Sequence, residues 1–256
     1  MKNINYTKDL IKKINTKKLS VGIIGLGYVG LPLSILCAKK GFKVYGFDID
    51  ESKIKKIKSN YSYIERINNK DIKILNKNGF FSSKFKNISN CDIIILCVPT
   101  PLKNKRPYIY HIKSTIKSIK KFLVKGQTII LESTSYPGTT NEEILNKLNK
   151  DFDIGKDLFI GFSSERINPG VNENKIHNVP KVVSGHSKNC KSVISNFYSQ
   201  IFSKIVIANK IEIAEFSKLL ENIYRSVNIG FINEMKLVAD RFKLDIFEII
   251  KIASSK

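Results

Sequence analysis

With 256 residues, of which 42% are hydrophobic, the chain is long enough for one large globular domain or for one domain and a smaller unit. Its formal net charge of +22 would suit nucleic-acid binding, but the lysines are spread over every predicted helix and no aromatic and basic RNA-binding motif appears, so we predict no nucleic-acid partner. No apolar run approaches the roughly 18 residues of a membrane helix, and residues 1–18 lack the apolar centre of a signal peptide, so a cytoplasmic location without a membrane partner is expected.

The four cysteines, Cys37, Cys91, Cys97 and Cys190, form no C-x-x-C pair, and no histidine lies close to them in the sequence. This spacing does not suit zinc, so we predict no metal site. The first three lie in apolar segments and are expected to be buried, reduced thiols.

A glycine-rich turn organises the first part of the chain. After a lysine-rich amphipathic helix over residues 6–18 and a predicted strand at Val21–Ile24, the pattern G-x-G-x-x-G places glycines at 25, 27 and 30, and an apolar helix continues to about Lys40. The first glycine permits a tight turn, the second lets a diphosphate approach the backbone, and the third lets the helix pack closely on the strand. Free N–H groups at the helix start would hold the phosphates. We predict a dinucleotide site, with a simple turn between two core elements as the structural alternative.

The second predicted strand, Lys43–Phe47, ends at Asp48, 18 residues after Gly30. A carboxylate at this place can accept hydrogen bonds from ribose hydroxyls and repels a 2′-phosphate. No arginine follows it directly, so the sequence favours NAD over NADP.

Predicted helices and strands alternate in the next part of the chain. Apolar runs predict buried strands at Asp92–Val98, Gln127–Leu131 and near 158–162, 181–184 and 204–207. Helices are predicted over 51–58, 69–78, 110–124, 141–149 and 187–202, with Thr139 or Thr140 as the cap of the fourth. This alternation predicts an α/β fold with a doubly wound, Rossmann-like parallel sheet. Ligands bind beyond the carboxyl ends of such strands, so the loops after Ile24, Phe47, Val98, Leu131 and Phe162 are expected to meet in one crevice.

One long helix is predicted from Ile211 to about Phe242, and a further helix over residues 245–253. About 30 helical residues span about 45 Å, a length typical of a helix that crosses between domains or lies at a subunit interface. We divide the chain into an N-terminal extension (1–18), a dinucleotide-binding domain (19–208) and the start of a central helical region (209–256).

Three groups of polar residues are candidates for chemistry. Lys218, Asn222 and Arg225 share one side of the long helix, either as a solvated polar stripe or as donors that stabilise an oxyanion. Glu165 follows a predicted strand, either as a general base toward water or as a loop carboxylate paired with Arg166. Thr134 follows another strand end, either to orient a water or a cofactor or as an ordinary residue before a helix.

Six segments resemble the nucleotide-sugar 6-dehydrogenases, the UDP-glucose and UDP-N-acetylhexosamine dehydrogenase family. In chain order they are VGIIGLGYVGLPL, FDIDESKI, VPTPL, ESTSYPGTT, SSERINPG and AEFSKLLENIYRSVNIGFINE, and the resemblance covers about residues 19–256. It implies oxidation of a sugar C6 alcohol to a carboxylate in two NAD-dependent steps. The ERINPG and PKVVSG segments resemble members that oxidise UDP-N-acetylglucosamine or UDP-N-acetylgalactosamine.

The resemblance also implies roles for individual residues. Thr134 and Glu165 correspond to residues that position or activate the hydrolytic water, and Lys218 and Asn222 to the pair that stabilises oxyanion charge. The residues implied in NAD binding are Gly25, Gly27, Tyr28, Val29, Gly30, Asp48, Lys53, Thr100 and Thr134.

The sequence departs from the family beyond the long helix. The family's nucleophilic cysteine lies in a GGHCIP-type motif, which this chain does not contain, and the domain that grips UDP is also absent from the 256 residues. Without the thiol the second oxidation lacks its covalent intermediate. We therefore expect a chain that binds NAD but does not turn over alone, with a possible separately encoded C-terminal part.

Two other functions stay open at this point. A compact hydroxyacid dehydrogenase would need no cysteine and would suit the length, although the VPTP, PGTT and ERINPG segments disfavour it. A non-catalytic scaffold would bind NAD and self-associate. A homodimer through residues 211–242 is expected on either the family or the scaffold hypothesis.

Overall fold

The computed structural model of the chain describes residues 5–165 and 179–255. Backbone contacts divide the chain into two units, Met1–Phe216 and Ser217–Lys256. The predicted domain boundaries at residues 18 and 208 stay predictions. The segment after Glu165, including Arg166 and the rest of the ERINPG motif, lies outside the described residues.

The first unit is built from strands with helices between them. The strands are β1 Ser20–Ile24, β2 Lys43–Phe47, β3 Phe80–Ser82, β4 Ile93–Leu96, β5 Leu102–Lys103, β6 Arg106–Pro107, β7 Gln127–Leu131, β8 Leu158–Ser163, β9 Lys181–Gly185 and β10 Ile205–Ile207. The helices are α1 Tyr6–Asn15, α2 Gly30–Lys39, α3 Glu51–Lys58, α4 Asn69–Lys77, α5 Tyr110–Ile119, α6 Asn146–Leu148 and α7 Lys188–Ser199, with 3-10 turns at Phe85–Asn90 and Lys120–Phe122. The long helix α8, Ile211–Arg241, begins in this unit.

Eight of these strands form one sheet in the order β10-β9-β8-β7-β4-β1-β2-β3. Neighbouring strands are parallel except β8 and β9, which pair antiparallel with Ser163 opposite Val183. The predicted doubly wound sheet is confirmed, and β9 and β10 run against the other six strands. The sequence pattern could not show this, because a buried apolar strand has the same composition in either direction.

The sheet is buried because helices cover both of its faces. Strands β4 and β7 are buried at every position, as expected for continuous apolar runs in a parallel sheet. One buried cluster contains side chains of α1, α2, α4 and α7, and the other contains side chains of α5 and the start of α8. Helix α1 belongs to this core, since Leu10 and Ile14 are both buried in the first cluster.

A local prediction differs from the structure in the segment after β7, and a hairpin after β4 was not predicted. The predicted helix 141–149 is a π-helix at Asn141–Leu145 followed by α6, and neither threonine caps it. The Thr139 hydroxyl donates to the Tyr136 carbonyl at 2.6 Å, and the Thr140 hydroxyl donates to Glu215 at 2.7 Å. After β4 the chain forms the β5–β6 hairpin, which the prolines around it had not revealed.

The second unit contains the remainder of α8 and the helix α9 Ile246–Ala253. At 31 residues, α8 is about 46 Å long, which confirms the predicted long helix. None of the described helices has the length and apolar character needed to cross a bilayer.

Candidate functional site

A cavity of about 610 Å³ opens at the carboxyl ends of the parallel strands in the first unit. Its lining comes from the loops after β1, β2, β4, β7 and β8, so the prediction that five strand ends meet in one crevice is confirmed. The lining includes Gly25, Gly27, Tyr28, Val29, Asp48, Lys53, Thr100, Thr134 and Glu165 from the predicted site. Strand order then arranges these loops in a row, with the Asp48 loop at one end and the Glu165 loop at the other.

The glycine turn has the geometry that its sequence predicts. Gly25 has a φ of +93°, a conformation that favours glycine, and a Cβ there would lie 2.6 Å from the Cys97 carbonyl oxygen. A Cβ on Gly30 would lie 1.9 Å from the Gly25 carbonyl oxygen, so this position allows the close approach of helix and turn. A Cβ on Gly27 would meet no atom within 4 Å. Packing therefore requires glycine at 25 and 30, whereas Gly27 leaves open space beside the turn.

The start of α2 is available to an anion. The residue before the helix, Val29, makes no side-chain cap, and no acidic residue lies in the first turn. Helix starts present N–H groups that have no partner within the helix, and the helix dipole favours negative charge there. Together with the open space at Gly27, this is an arrangement that fits a diphosphate.

Asp48 joins the glycine turn to the end of β2. Its Oδ2 accepts from the Leu26 N–H at 2.8 Å and from the Lys53 ammonium at 3.1 Å, and its Oδ1 accepts from the Asp50 N–H at 2.9 Å. A carboxylate has about four acceptor positions, so these three donors leave room for a ribose hydroxyl. The sequence predicted the ribose contact, while the bond to the glycine turn is visible only in the structure.

Thr100 and Thr134 lie on adjacent loops, after β4 and β7. The Thr100 hydroxyl donates to the Thr134 carbonyl at 2.6 Å, and the neighbouring Ser133 hydroxyl donates to the Val98 carbonyl at 2.6 Å. The two loops are thus held together at the centre of the cavity. The cofactor contacts of both threonines and the water-positioning role of Thr134 stay predictions.

Beside Glu165 lies a buried ion pair that the sequence analysis did not identify. The Lys181 ammonium is 2.8 Å from Glu132 Oε2 and 3.8 Å from Glu165 Oε2, and the Tyr198 hydroxyl donates to Glu132 Oε1 at 2.5 Å. Lys181 begins β9 and Glu132 follows β7, so only the strand order brings them together. The sequence does contain a signal for this pair, because Glu132 directly follows one apolar run and Lys181 directly precedes another.

Glu215 near the start of α8 is a second residue that sequence reasoning missed. Its buried carboxylate accepts from the N–H groups of Gly138 and Thr140, at 2.6 and 2.9 Å, and from the Thr140 hydroxyl. Burial raises the pKa of Glu215, and these donors oppose that shift. The carboxylate fixes the loop that follows Thr134.

Lys218 and Asn222 lie on the part of α8 that belongs to the second unit. Lys218 is buried, with its ammonium 4.0 Å from Glu221 Oε2, and Asn222 is half-buried. Arg225, one turn further, is exposed. The proposed oxyanion role of Lys218 and Asn222 stays a prediction.

Comparison with known proteins identifies both parts of the chain. Residues 19–202 match the NAD-binding domain of the UDP-glucose/GDP-mannose dehydrogenase family, and residues 212–256 match the central domain of that family. The chain is 35% identical over 241 residues to Protein CapL of Staphylococcus aureus, covering 93% of this chain and 56% of that protein. It is 34% identical over 244 residues to the UDP-N-acetyl-D-glucosamine 6-dehydrogenase of Pseudomonas aeruginosa, covering 94% and 57%.

A solved structure, the UDP-D-ManNAc dehydrogenase of Pyrococcus horikoshii, superimposes with a TM-score of 0.86 at 28% identity. The match covers 93% of this chain and 58% of that one. The chain therefore spans somewhat more than half the length of the relatives it matches.

Alanine substitutions at Gly27 and Gly30 should have different effects on stability and on NAD binding. Gly27→Ala should leave the melting temperature of the chain unchanged, because its Cβ meets no atom, yet weaken NAD binding about tenfold or more by blocking the approach of the diphosphate. Gly30→Ala should lower the free energy of unfolding by about 2 kcal/mol or more, because its Cβ overlaps a carbonyl oxygen. Thermal melting and NAD titration calorimetry measure both effects; equal loss of stability in the two variants would contradict this reading.

Proposed function

The chain belongs to the UDP-glucose/GDP-mannose dehydrogenase family, and on that basis we propose that it is the NAD-binding part of a UDP-N-acetylhexosamine 6-dehydrogenase. The substrate would be UDP-N-acetylglucosamine or UDP-N-acetylgalactosamine, oxidised at C6 from alcohol to carboxylate. Two hydrides leave C6 and two NAD⁺ accept them, so each uronate formed consumes two NAD⁺ and one water and yields two NADH. The observation that supports this proposal most is the cavity, because the glycine turn and Asp48 line it together with Thr134 and Glu165.

We assign NAD to the row of loops along the cavity. The diphosphate would lie at Gly25–Gly30, and the adenosine ribose at Asp48 and Lys53. The nicotinamide nucleotide would lie toward Thr100 and Thr134. NAD supplies the hydride acceptor in this site. The chain contributes backbone amides, a ribose acceptor and loops held by hydrogen bonds.

Glu165 and Thr134 would handle water in the second oxidation. The Glu165 carboxylate lines the cavity and is 18% exposed, so it can accept a proton from water, and the Thr134 loop can orient that water. On α8, Lys218 and Asn222 would donate to the oxygen of C6 as negative charge develops there. Each of these roles is a proposal for this chain.

The 256 residues contain no GGHC-type segment to supply a nucleophilic thiol. We propose that these residues bind NAD but do not complete the oxidation without a polypeptide that carries that segment and a UDP-binding domain. The thiol would form the covalent intermediate of the second oxidation. Binding energy from the UDP group, which is remote from C6, supports turnover as well as affinity, so a UDP-binding domain would also raise the rate.

The exposed apolar stripe on α8 is the surface through which we expect the chain to bind a second copy of itself. Apolar side chains recur at helical spacing along the second unit and are exposed: Leu220, Tyr224, Val227, Phe231, Met235, Val238 and Phe242. Such a stripe is unfavourable in water, and the same stripe on two copies is complementary in a two-fold arrangement. We propose a homodimer formed through this helix.

Asp48 should decide between NAD and NADP. The chain should bind NADP at least about tenfold more weakly than NAD, because the carboxylate repels a 2′-phosphate. Lys53→Met should widen this difference by removing the cation 3.1 Å from Asp48, and Asp48→Asn should narrow it while weakening NAD binding. Titration calorimetry with both nucleotides tests this; equal affinities of the unmutated chain for NAD and NADP would contradict the proposed role of Asp48.

The turnover proposal is tested by following NADH absorbance. The purified chain with NAD and any UDP-N-acetylhexosamine should give no steady NADH formation. Addition of a polypeptide with the GGHC-type segment and UDP-binding domain should yield two NADH per sugar, and Lys218→Ala should reduce that rate strongly. Reduction of NAD by a small hydroxyacid, with the chain alone, would instead support the compact dehydrogenase.

The dimer proposal is tested by sedimentation. The chain should sediment at twice its mass of 29.1 kDa, and Phe231→Glu should convert it to a monomer by placing a charge in the stripe. Asn233→Glu, on the opposite side of α8 between the exposed Ile229 and Leu237, is the control, and it should stay dimeric because the proposed interface is the stripe that contains Phe231. A monomeric unmutated chain at micromolar concentration would show that something other than a second copy covers the stripe.

A further inference from the structure

Two side chains of the loop that joins α3 to α4 hydrogen-bond to the backbone of the glycine turn. The Tyr63 hydroxyl donates to the Leu26 carbonyl at 2.5 Å, and the Arg66 guanidinium donates to the Tyr28 carbonyl at 3.3 Å. The guanidinium carbon of Arg66 also lies 5.9 Å from the centroid of the Tyr28 ring. Neither hydrogen bond is part of a helix or of the sheet, so regular secondary structure does not account for them.

The Tyr28 carbonyl is available to Arg66 because of a proline in the first turn of α2. In an α-helix each carbonyl accepts from the N–H four residues further on. The Leu33 N–H does so, donating to the Val29 carbonyl at 3.2 Å. The residue four positions after Tyr28 is Pro32, which has no N–H to donate. Arg66 therefore supplies the donor that the helix lacks.

Each of the two carbonyls belongs to a peptide group whose N–H is an open donor. The Leu26 carbonyl shares its peptide group with the Gly27 N–H, and the Tyr28 carbonyl shares its own with the Val29 N–H. Among the described hydrogen bonds, neither of these N–H groups has an acceptor. A trans peptide group is planar, so its carbonyl and its N–H point in opposite directions. A side chain that fixes the carbonyl therefore also fixes the direction of the N–H.

The two donors are permanent at neutral pH, and their loop is anchored. Burial raises the pKa of the Tyr63 hydroxyl, and the carboxylates of Asp48 and Asp50 raise it further, so the hydroxyl keeps its proton. An arginine side chain is always charged. Ile64 and Ile67 are buried in the first core cluster and hold the loop to the domain. A donor on a carbonyl also polarises the peptide group and strengthens its N–H as a donor, most of all when the donor is charged.

We propose that Tyr63 and Arg66 are positioning residues, which hold two backbone N–H groups of the glycine turn toward the cofactor diphosphate. The two groups are those of Gly27 and Val29. This role rests on the proposed placement of the diphosphate at the turn. The missing Cβ of Gly27 provides the space, the N–H groups provide the donors, and the loop between α3 and α4 sets their direction before the ligand binds. Donors that are already oriented lose less freedom on binding, which raises affinity.

The test measures the Kd of NAD by titration calorimetry and pairs each variant with a control of the same chemistry. Tyr63→Phe removes one neutral hydrogen bond, so the Kd of NAD should rise about fivefold. Tyr61→Phe makes the same change on a side chain that is 58% exposed and should leave the Kd unchanged. Arg66→Met removes a charged donor, so the Kd should rise about tenfold, and Arg66→Lys should recover part of the loss. Lys70→Met removes an equal charge from an exposed position of α4 and should have no effect.

Two further measurements separate positioning from support of the fold. Adenosine, which has no diphosphate, should bind every variant with the affinity of the unmutated chain, whereas ADP-ribose should lose affinity as NAD does. In the chain without ligand, amide NMR should show a shifted Gly27 resonance in Tyr63→Phe and a shifted Val29 resonance in Arg66→Met. These shifts report directly on the two N–H groups.

An unchanged Kd of NAD in Tyr63→Phe and Arg66→Met would overturn the proposal. Equal loss of adenosine and NAD affinity would overturn it too, because the two side chains would then act only on structure. A loss in Arg66→Met that Lys70→Met reproduces, or that disappears at high salt, would assign the effect to charge alone and contradict positioning. If the unmutated chain binds neither NAD nor ADP-ribose, the proposed cofactor site itself fails, which is a different result from the others.

Discussion

The hydrogen bond from the Leu26 N–H to the buried carboxylate of Asp48 determines the shape of the site. It joins the glycine turn to the end of β2, so the turn and the carboxylate that we propose as the ribose acceptor are held directly together. The Gly25 N–H reinforces this by donating to the Phe47 carbonyl at 2.7 Å. Because a single carboxylate both contacts the turn and offers an acceptor, it fixes the distance between the proposed diphosphate and ribose subsites.

The rest of the cavity depends on similar links between neighbouring loops. Thr100 and Ser133 tie the loops after β4 and β7, and Lys181 ties the ends of β7 and β8 through Glu132 and Glu165. Glu215 fixes the loop beyond Thr134. A row of strand ends becomes a single ligand-binding surface through these polar contacts, and each contact joins residues far apart in the sequence.

Local patterns predicted the parts of this structure that local forces produce. The sequence predicted the glycine turn and Asp48, and it also predicted the strands β4 and β7 and the long helix. Backbone sterics determine the turn, and apolar patterns determine the strands and the helix. The family was readable as well, from six motifs in order, and the comparisons confirm it. Thr139 and Thr140 were read wrongly as helix caps, because Glu215, 75 residues away, takes the hydroxyl of Thr140.

Long-range pairing determines what the sequence did not reveal. Lys181 looked like one of many surface lysines in a chain with a net charge of +22, yet the reversed strand β9 places it in the core beside Glu132. The bond between Asp48 and Leu26 likewise follows from the pairing of β1 and β2. Asp48 and Glu165 could be found from their places after predicted strands, whereas Lys181 and the hydrogen-bond and ion-pair partners of all three are visible only in the fold.

The central claim is that one dinucleotide lies across the cavity from Asp48 to Glu165. A crystal structure of the chain with NAD tests it most directly. The account predicts the adenosine ribose on Asp48, the diphosphate against the amides of the glycine turn and the nicotinamide beside Thr134 and Glu132. A cofactor bound in the opposite direction, or outside this cavity, would contradict it.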